Sequence, residues 1–316
     1  MALNANLTST TGLSSTMQTY YDKKLLLNAK PNLVHQMYGQ KVVLPKNSGK
    51  SVQFRKWTPF EAVTTALSEG VVPDGQSLAM TNVTADINQY GGYVAVSDLL
   101  DMTALDPVIN DSVELMGDQG GLSLDTLVKN VIVNSTNVQY AGGKTSRSAL
   151  TETCILTVDE VRKAVRTLKK NKAPQFVRNG KGYYVAIVGP ETTYDLQSDA
   201  LWQDVSKYNA AEQIFDGEIG KMFGVVFVET SEAQLFSGSD GVNGRPVAAT
   251  MVFGKNAYGV VDIEGGNLRS IIKPKGSAGT ADPLDQISTI GWKVGGFCAK
   301  VLQPLWMVRI EHMVSQ

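Results

Sequence analysis

Few residues of this 316-residue chain have the types and spacings that could do chemistry. The two histidines, His35 and His312, have no serine or cysteine in a nucleophile-elbow context, so the sequence suggests no Ser-His or Cys-His pair. The two cysteines, Cys154 and Cys298, form no CxxC motif and no His/Cys cluster. Because both have apolar neighbours, we predict two buried thiols rather than a disulfide or a zinc site.

The other chemical signals are weaker still. Asp195, Asp199 and Asp204 are close in sequence but have no histidine or cysteine nearby, which leaves a carboxylate metal site open and favours a solvated helical face. The run Gly142–Thr145 (GGKT) resembles the end of a phosphate-binding loop, but Val138 stands where that motif needs a glycine. The sequence therefore predicts no catalytic residue, no cofactor and no metal site, and a protein that is not an enzyme.

The composition is that of a folded chain, with 43% apolar and 19% charged residues. Its net charge of −1, from 29 basic and 30 acidic residues, argues against a protein that grips nucleic acid through many phosphates, although a local patch stays open. The first 22 residues contain no lysine or arginine and no apolar run, so we expect no signal peptide. No apolar run approaches the length of a membrane span.

The elements around these residues include one long helix. Asp106 and Pro107 are a typical N-cap and first helical residue, and apolar residues then recur at steps of three and four: Val113, Met116, Gly120, Leu124, Leu127 and Val131. A helix that continues to Val133 is about 40 Å long. Its three internal glycines weaken its helical propensity, so we expect it to depend on packing.

Two strands precede this helix. Ser51–Trp57 alternates apolar and polar residues, as does Asn82–Ile87, whose pattern continues to Ser97 after an interruption at Gly91 and Gly92. The connection at 58–81 is unusually long for a compact domain, and a two-stranded hairpin of this kind is marginal alone in water. Either the same domain folds back over the hairpin or a neighbouring molecule covers it.

The rest of the chain mixes both element types. Thr157–Glu160 (TVDE) is a capping-box pattern that opens a helix ending before Pro174, and a short helix follows Gly189. Strands are predicted at 183–188, 225–229, 247–253 and 305–313. Because helices and strands fall in separate stretches without regular βαβ units, the fold class is α+β.

The order and spacing of several stretches carry a family resemblance from Met17 to His312. The stretches are YYDKKLL (20–26), PNLVHQMYGQK (31–41), QYGGYVAVSDLLD (89–101), NVQYAGGKTSR (137–147), FDGEIGKMFGVVFVET (215–230), FGKNAYGVVDIEGG (253–266), GSAGTADPLDQ (276–286) and QPLWMVRIEH (303–312). With these stretches in this order, the chain resembles the major capsid proteins of tailed bacteriophages with the Hong Kong 97-type fold, specifically the coat proteins of N-four-like phages.

This resemblance implies an architecture and a role. It implies an N-terminal arm (1–47), an extended hairpin loop (48–97) that reaches over the adjacent subunit, a peripheral domain with the long spine helix (98–175), an axial domain (176–290) and a return strand of the peripheral domain (291–316). It further implies self-assembly through hexamers and pentamers into an icosahedral shell around double-stranded DNA. The implied place is the virion capsid, assembled in the bacterial host cytoplasm. Implied partners are other copies of the chain, a portal, a scaffold and a decoration protein, with no sequence-specific DNA binding and no membrane.

We hypothesise inter-subunit contacts by Arg55, Trp57, Glu69 and Asp74 of the hairpin loop. Some relatives of this fold cross-link their subunits covalently through a lysine on that loop. Because Thr58–Asn82 contains no lysine, we predict no covalent cross-link from this loop. The alternatives are a nanocompartment (encapsulin-like) shell protein of the same fold, a small-molecule enzyme with an α+β fold, and a tail-tube or other virion protein.

Overall fold

The computed structural model describes residues 25, 33–58, 60–67, 69–70, 72, 74–103, 108–178, 180–203, 218–237, 242, 244–277, 279 and 282–315. Its helices are Val34–Met37 (α1), Asp98–Thr103 (α2), Val108–Val133 (α3), Val158–Lys170 (α4) and Pro190–Gln197 (α5). Its strands are Gln40–Leu44 (β1), Ser51–Trp57 (β2), Met80–Asp86 (β3), Asn88–Ser97 (β4), Val138–Tyr140 (β5), Phe176–Arg178 (β6), Lys181–Val188 (β7), Glu218–Met222 (β8), Val225–Glu229 (β9), Gln234–Phe236 (β10), Val247–Phe253 (β11), Tyr258–Ile263 (β12), Arg269–Lys273 (β13), Ile287–Val301 (β14) and Met307–Met313 (β15).

The predicted long helix is confirmed as α3, a helix of 26 residues. Asp106 and Pro107, its predicted N-cap and first residue, lie outside the described residues. Its buried face follows the predicted stripe as far as Leu124 and then continues through Val128 and Ile132 rather than Leu127 and Val131. A side chain on Gly120 would begin 3.4 Å from the Trp292 ring, so glycine lets the helix lie close against β14.

Two sheets flank this helix. In the five-stranded sheet, the 15-residue strand β14 pairs antiparallel with β4, β12 and β13, and β1 pairs parallel with β12 at the edge. The eight-stranded sheet has the order β5-β15-β11-β7-β9-β8, with β10 also on β11 and β6 also on β7. The β2–β3 hairpin forms a separate two-stranded sheet.

The core has two main layers. One cluster packs α3 against both sheets, and the other packs α4 and α5 on the opposite face of the eight-stranded sheet. Along β7, Val185 and Ile187 belong to the first cluster, while Tyr184 and Ala186 belong to the second. A strand covered on both faces reads as a continuous apolar run, which is how the sequence YYVAIV reads.

Most strand predictions are confirmed, with local corrections. The strands at 51–57, 225–229 and 247–253 have the predicted bounds. The interruption expected at Gly91 and Gly92 is wrong: β4 runs through both glycines, which pair with Lys293 and Trp292 of β14. The last strand begins at Met307 rather than 305, because Pro304–Trp306 forms a 3-10 turn that proline starts well.

The predicted capping box is wrong, although the predicted helix is present. The Thr157 side chain makes no capping hydrogen bond; instead the Val158 N–H donates to Asp199 Oδ2 at 3.0 Å. Glu160 is buried and accepts hydrogen bonds from Lys163 Nζ and Gln139 Nε2, both at 2.7 Å. Tertiary packing therefore supplies the helix start with an acceptor 41 residues along the chain.

Candidate inter-subunit interface

The β2–β3 hairpin is anchored at its base. Its strands pair from Ser51 opposite Asp86 to Trp57 opposite Met80, so the connecting loop spans 58–79. At the base, Val52 and Ala85 are buried in a small cluster with Val261 of β12. We call the two larger sheets and the helices packed on them the body. This packing fixes the direction of the hairpin, because one face of its first residues belongs to the core of the body.

The loop end of the hairpin is different, since its apolar side chains are exposed. Trp57 is 58% exposed, Leu67 75% and Val72 89%, and Phe60, Val63 and Leu78 are more than half exposed as well. Burying one such side chain stabilises a contact by about 1.5–3 kcal/mol. Six exposed large apolar side chains within positions 57–78 indicate a candidate interaction surface.

All four residues predicted to contact another subunit are exposed. Arg55 and Trp57 lie two positions apart on β2 and therefore share one face of the hairpin, while Glu69 and Asp74 lie in the loop. Arg55, Glu69 and Asp74 have no ion-pair partner among the described residues. Their positions are compatible with the predicted contact, which stays a prediction.

The sequence interpretation missed Lys56, which lies between two of these residues. Its Nζ donates to Gln303 Oε1 and lies 5.8 Å from the centre of the Trp306 ring. The alternation of side chains along a strand could have distinguished Lys56 from Arg55 and Trp57, because it places Lys56 on the opposite face of β2. Lys56 ties the hairpin to the body and leaves the other face open.

A buried hydrogen-bonded pair joins the chain before the hairpin to the long helix, and no local sequence pattern predicted it. His35 Nδ1 lies 2.6 Å from Asp125 Oδ2, and the His35 N–H donates to Asp125 Oδ1 at 2.7 Å. Tyr258 of β12 donates its hydroxyl proton to the His35 carbonyl oxygen at 2.5 Å. Burial, followed by the Asp125 charge, raises the pKa of Tyr258 well above its usual range. Three segments distant in sequence are thereby joined inside the core.

The cysteine and histidine side chains that the sequence analysis considered for chemistry are buried in the fold. Both cysteines are free and buried, as predicted, and burial followed by the charges of Asp262 and Asp86 raises the pKa of Cys298 to about 11. A thiol with that pKa is inert near neutral pH. Burial lowers the pKa of His312 to about 4, against smaller opposing effects of the Met313 carbonyl and Asp195.

Asp195, Asp199 and Asp204 were predicted to lie on a solvated helical face, and this prediction is wrong. Asp195 is buried and accepts hydrogen bonds from the backbone N–H and hydroxyl of Ser315, and Asp199 caps α4. Asp204 lies outside the described residues. Within the described ranges, no group of three or more histidine, cysteine or acidic residues could hold a metal ion, and no helix is long and apolar enough to cross a membrane.

Comparison with solved structures identifies the fold. The capsid of Ralstonia phage GP4 has a TM-score of 0.72 at 16% identity, over 88% of each chain. The capsid of cyanophage P-SCSP1u has a TM-score of 0.66 at 16% identity, over 90% of this chain and 89% of that chain. The cyanophage Pam1 capsid has a TM-score of 0.67 at 12% identity, over 87% and 89%. The predicted α+β, Hong Kong 97-type capsid fold is confirmed.

The sequence comparisons decide the family. No curated protein matches the chain. The sequence model of the family described as phage capsid protein matches residues 81–310, which is most of the chain. With phage capsids among its structural neighbours, the nanocompartment alternative is not favoured. This chain belongs to the phage capsid protein family and is a structural major capsid protein.

Proposed function

We propose that copies of this chain assemble through hexamers and pentamers into the icosahedral head shell of a tailed phage, enclosing its double-stranded DNA. The observation that carries the proposal is the hairpin loop, which exposes a group of apolar side chains with no cover from its own chain among the described residues. In a capsid protein, the cover for such a loop is an adjacent subunit, as the sequence resemblance implies. The shell would be built in the bacterial host cytoplasm, without catalysis by this chain.

The inter-subunit contacts in this proposal include Arg55, Trp57, Glu69 and Asp74. Their exposure and the absence of internal ion-pair partners within the described part of the chain support this role. We also retain the division into arm (1–47), hairpin loop (48–97), peripheral domain (98–175), axial domain (176–290) and return strand (291–316) as part of the proposal. A portal, a scaffold and a decoration protein complete the expected partners.

The near-zero net charge suits a shell that confines DNA. Strong binding to many phosphates releases counterions and holds DNA tightly. A subunit of charge −1 avoids that adhesion while many weak contacts between subunits add up.

Size-exclusion chromatography with light scattering, followed by negative-stain microscopy, tests the assembly. We expect closed particles or rings of five and six subunits. If the protein remains a monomer, limited proteolysis decides, since a loop that awaits a neighbour should be cut between Thr58 and Met80. A stable monomer whose loop is fully protected would contradict the proposed role of the hairpin.

A further inference from the structure

The charges of this chain are unevenly distributed along the sequence. Residues 57–128 contain 11 acidic residues and no lysine or arginine, so all 29 basic residues lie elsewhere. Three of these acidic residues, Glu61, Glu69 and Asp74, lie in the 58–79 loop, and all three are exposed. The loop therefore presents carboxylates together with its apolar side chains. A surface that fits it must combine positive charge with an apolar depression.

One face of the five-stranded sheet has both properties. Lys293 of β14 is paired with Arg269 of β13, and Thr289 with Lys273, so the three basic side chains lie on the same face. The opposite face carries Trp292, which is buried against α3. Arg269, Lys273 and Lys293 have no ion-pair partner among the described residues.

A groove of about 470 Å³ on this face is lined by Lys273 and Lys293. Gly291 of β14, which pairs with Tyr93 of β4, and Ile271 of β13 also line it. A side chain cannot replace the hydrogen of Gly291, because a Cβ atom there would lie 2.6 Å from the Gly92 carbonyl oxygen. Tyr93 is 75% exposed beside the groove. The volume of the groove leaves room for apolar side chains supplied from outside.

We propose that this groove receives the 58–79 loop of a second copy of the chain. The inference rests on the proposed function, in which the loop reaches over an adjacent subunit, and it names the surface that the loop contacts. Apolar loop side chains such as Leu67 and Val72 enter the groove, while Glu69 and Asp74 lie near Lys273 and Lys293.

The contact is head-to-tail, because the loop and the groove are different surfaces of one chain, and such contacts close into rings when the rotation allows. Each exposed ion pair contributes little by itself. Complementary charge mainly sets orientation and excludes wrong partners. Repetition around a ring and across a shell multiplies the small contribution of each contact.

Charge exchange tests the proposal in particles produced by phage that carry the variant gene. One variant reverses the groove (Lys273→Glu with Lys293→Glu), a second reverses the loop (Glu69→Lys with Asp74→Lys), and a third combines both. We expect each reversal to lower the yield of closed particles at least about tenfold, and the combined variant to recover most of that loss. Lys169→Glu with Lys170→Glu on α4 is the matched control, and its particle yield should stay near that of the unmodified chain.

The outcomes separate this inference from the proposed function. If loop reversal lowers the yield and groove reversal does not, the loop contacts another surface, and only the groove inference is overturned. A combined variant no better than either reversal also overturns it. If neither loop reversal nor deletion of 60–78 affects assembly, the proposed role of the hairpin fails as well.

Cross-linking of the unmodified chain keeps the test independent of variant folding. Shells assembled from mixed light and heavy isotope-labelled subunits are treated with a carbodiimide, which joins a carboxylate to a lysine amine with loss of water. We expect light–heavy peptide pairs that link 61–74 to Lys273 or Lys293. If the loop carboxylates link to other lysines, the loop contacts a different surface. If Lys273 or Lys293 instead links to a decoration protein, the groove has a different occupant. Either result overturns the inference.

Discussion

The body of this protein and its β2–β3 hairpin differ in how their polar and apolar side chains are paired and buried. In the body, buried charges have partners: Glu311 is wholly buried and accepts two hydrogen bonds from Arg147, and His35 is paired with Asp125. In the hairpin loop, Leu67 and Val72 are exposed, and Glu69 has no ion-pair partner within the described ranges.

This difference shows where each region obtains its stability. The body buries its main apolar clusters and pairs the buried charges named above within one subunit, so most of its contribution to folding needs no neighbour. A two-stranded hairpin is marginal by itself, and its apolar side chains contribute only when another surface covers them. Changes in the body should therefore alter the free energy of unfolding, whereas changes in the loop should alter assembly.

The largest expected effect comes from breaking the buried pair in the body. Asp125→Ala leaves the His35 ring and backbone N–H without their acceptor inside the core. We expect the free energy of unfolding to fall by about 3–5 kcal/mol. Urea unfolding of the unassembled subunit measures it, with Asp118→Ala on the exposed face of the same helix as control. A loss no larger than that of the control would show that the body tolerates an unpaired buried group.

The second effect is a pH dependence at His312. Its Nδ1 donates to the Met313 carbonyl, and in the neutral ring Nε2 accepts from the Thr250 hydroxyl at 3.0 Å. Because burial lowers the folded-state pKa to about 4, the unfolded chain binds more protons between that pH and the usual value near 6.5. Stability is complete above pH 6.5 and falls as the pH drops toward 4, by about 3 kcal/mol.

Urea unfolding between pH 4.5 and pH 7.5 measures this loss, and His312→Gln is the matched variant. The variant has no titrating ring, so the difference in stability between it and the unmodified chain should shrink as the pH falls. Parallel pH curves would mean that other groups cause the acid sensitivity.

The third effect tests the close contact between α3 and β14. Gly120→Val would place methyl groups against Trp292 and Leu268, whose atoms already lie 3.3–3.4 Å from a Cβ at this position. We expect a loss of about 1–3 kcal/mol from overpacking, despite the better helical propensity of valine. Leu115→Val on the exposed face of the same helix is the control. Equal stability of the two variants in thermal unfolding would show that the helix can move away from the sheet.

The elements that the sequence predicted well are those with a local signal. Periods of two and of three to four residues are set by the backbone alone, so β2, β9, β11 and α3 could be read from the pattern of apolar residues. The long connection after β2 is a local fact as well. The sequence alone left open whether the same domain or a neighbour covers it.

The elements that the sequence did not predict depend on residues far apart in the chain. Asp125 meets His35 across 90 positions, Asp199 caps a helix 41 residues away, and Asp195 holds Ser315 across 120. No local pattern encodes such pairs, because tertiary packing selects them. The four residues that we propose as inter-subunit contacts are exposed, and a partner on another molecule would leave no pattern in the sequence of a single chain.

The smallest expected effect on subunit stability lies in the hairpin loop. Leu67→Ser and Val72→Ser remove apolar groups that the subunit itself does not bury. We expect each to change the free energy of unfolding of the unassembled subunit by less than about 0.5 kcal/mol. The yield of closed particles should nevertheless fall, and the two quantities are measured by urea unfolding and by sedimentation.

A buried leucine in the body provides the contrast. Leu168 of α4 is fully buried, so Leu168→Ser should destabilise the subunit by several kcal/mol through lost burial and a cavity. Equal destabilisation by Leu67→Ser would mean that the body covers the loop, and the comparison between the two regions would fail. If Leu67→Ser instead leaves both stability and particle yield unchanged, Leu67 contacts no neighbour. Only loss of assembly at constant subunit stability assigns the burial of this loop to a second copy.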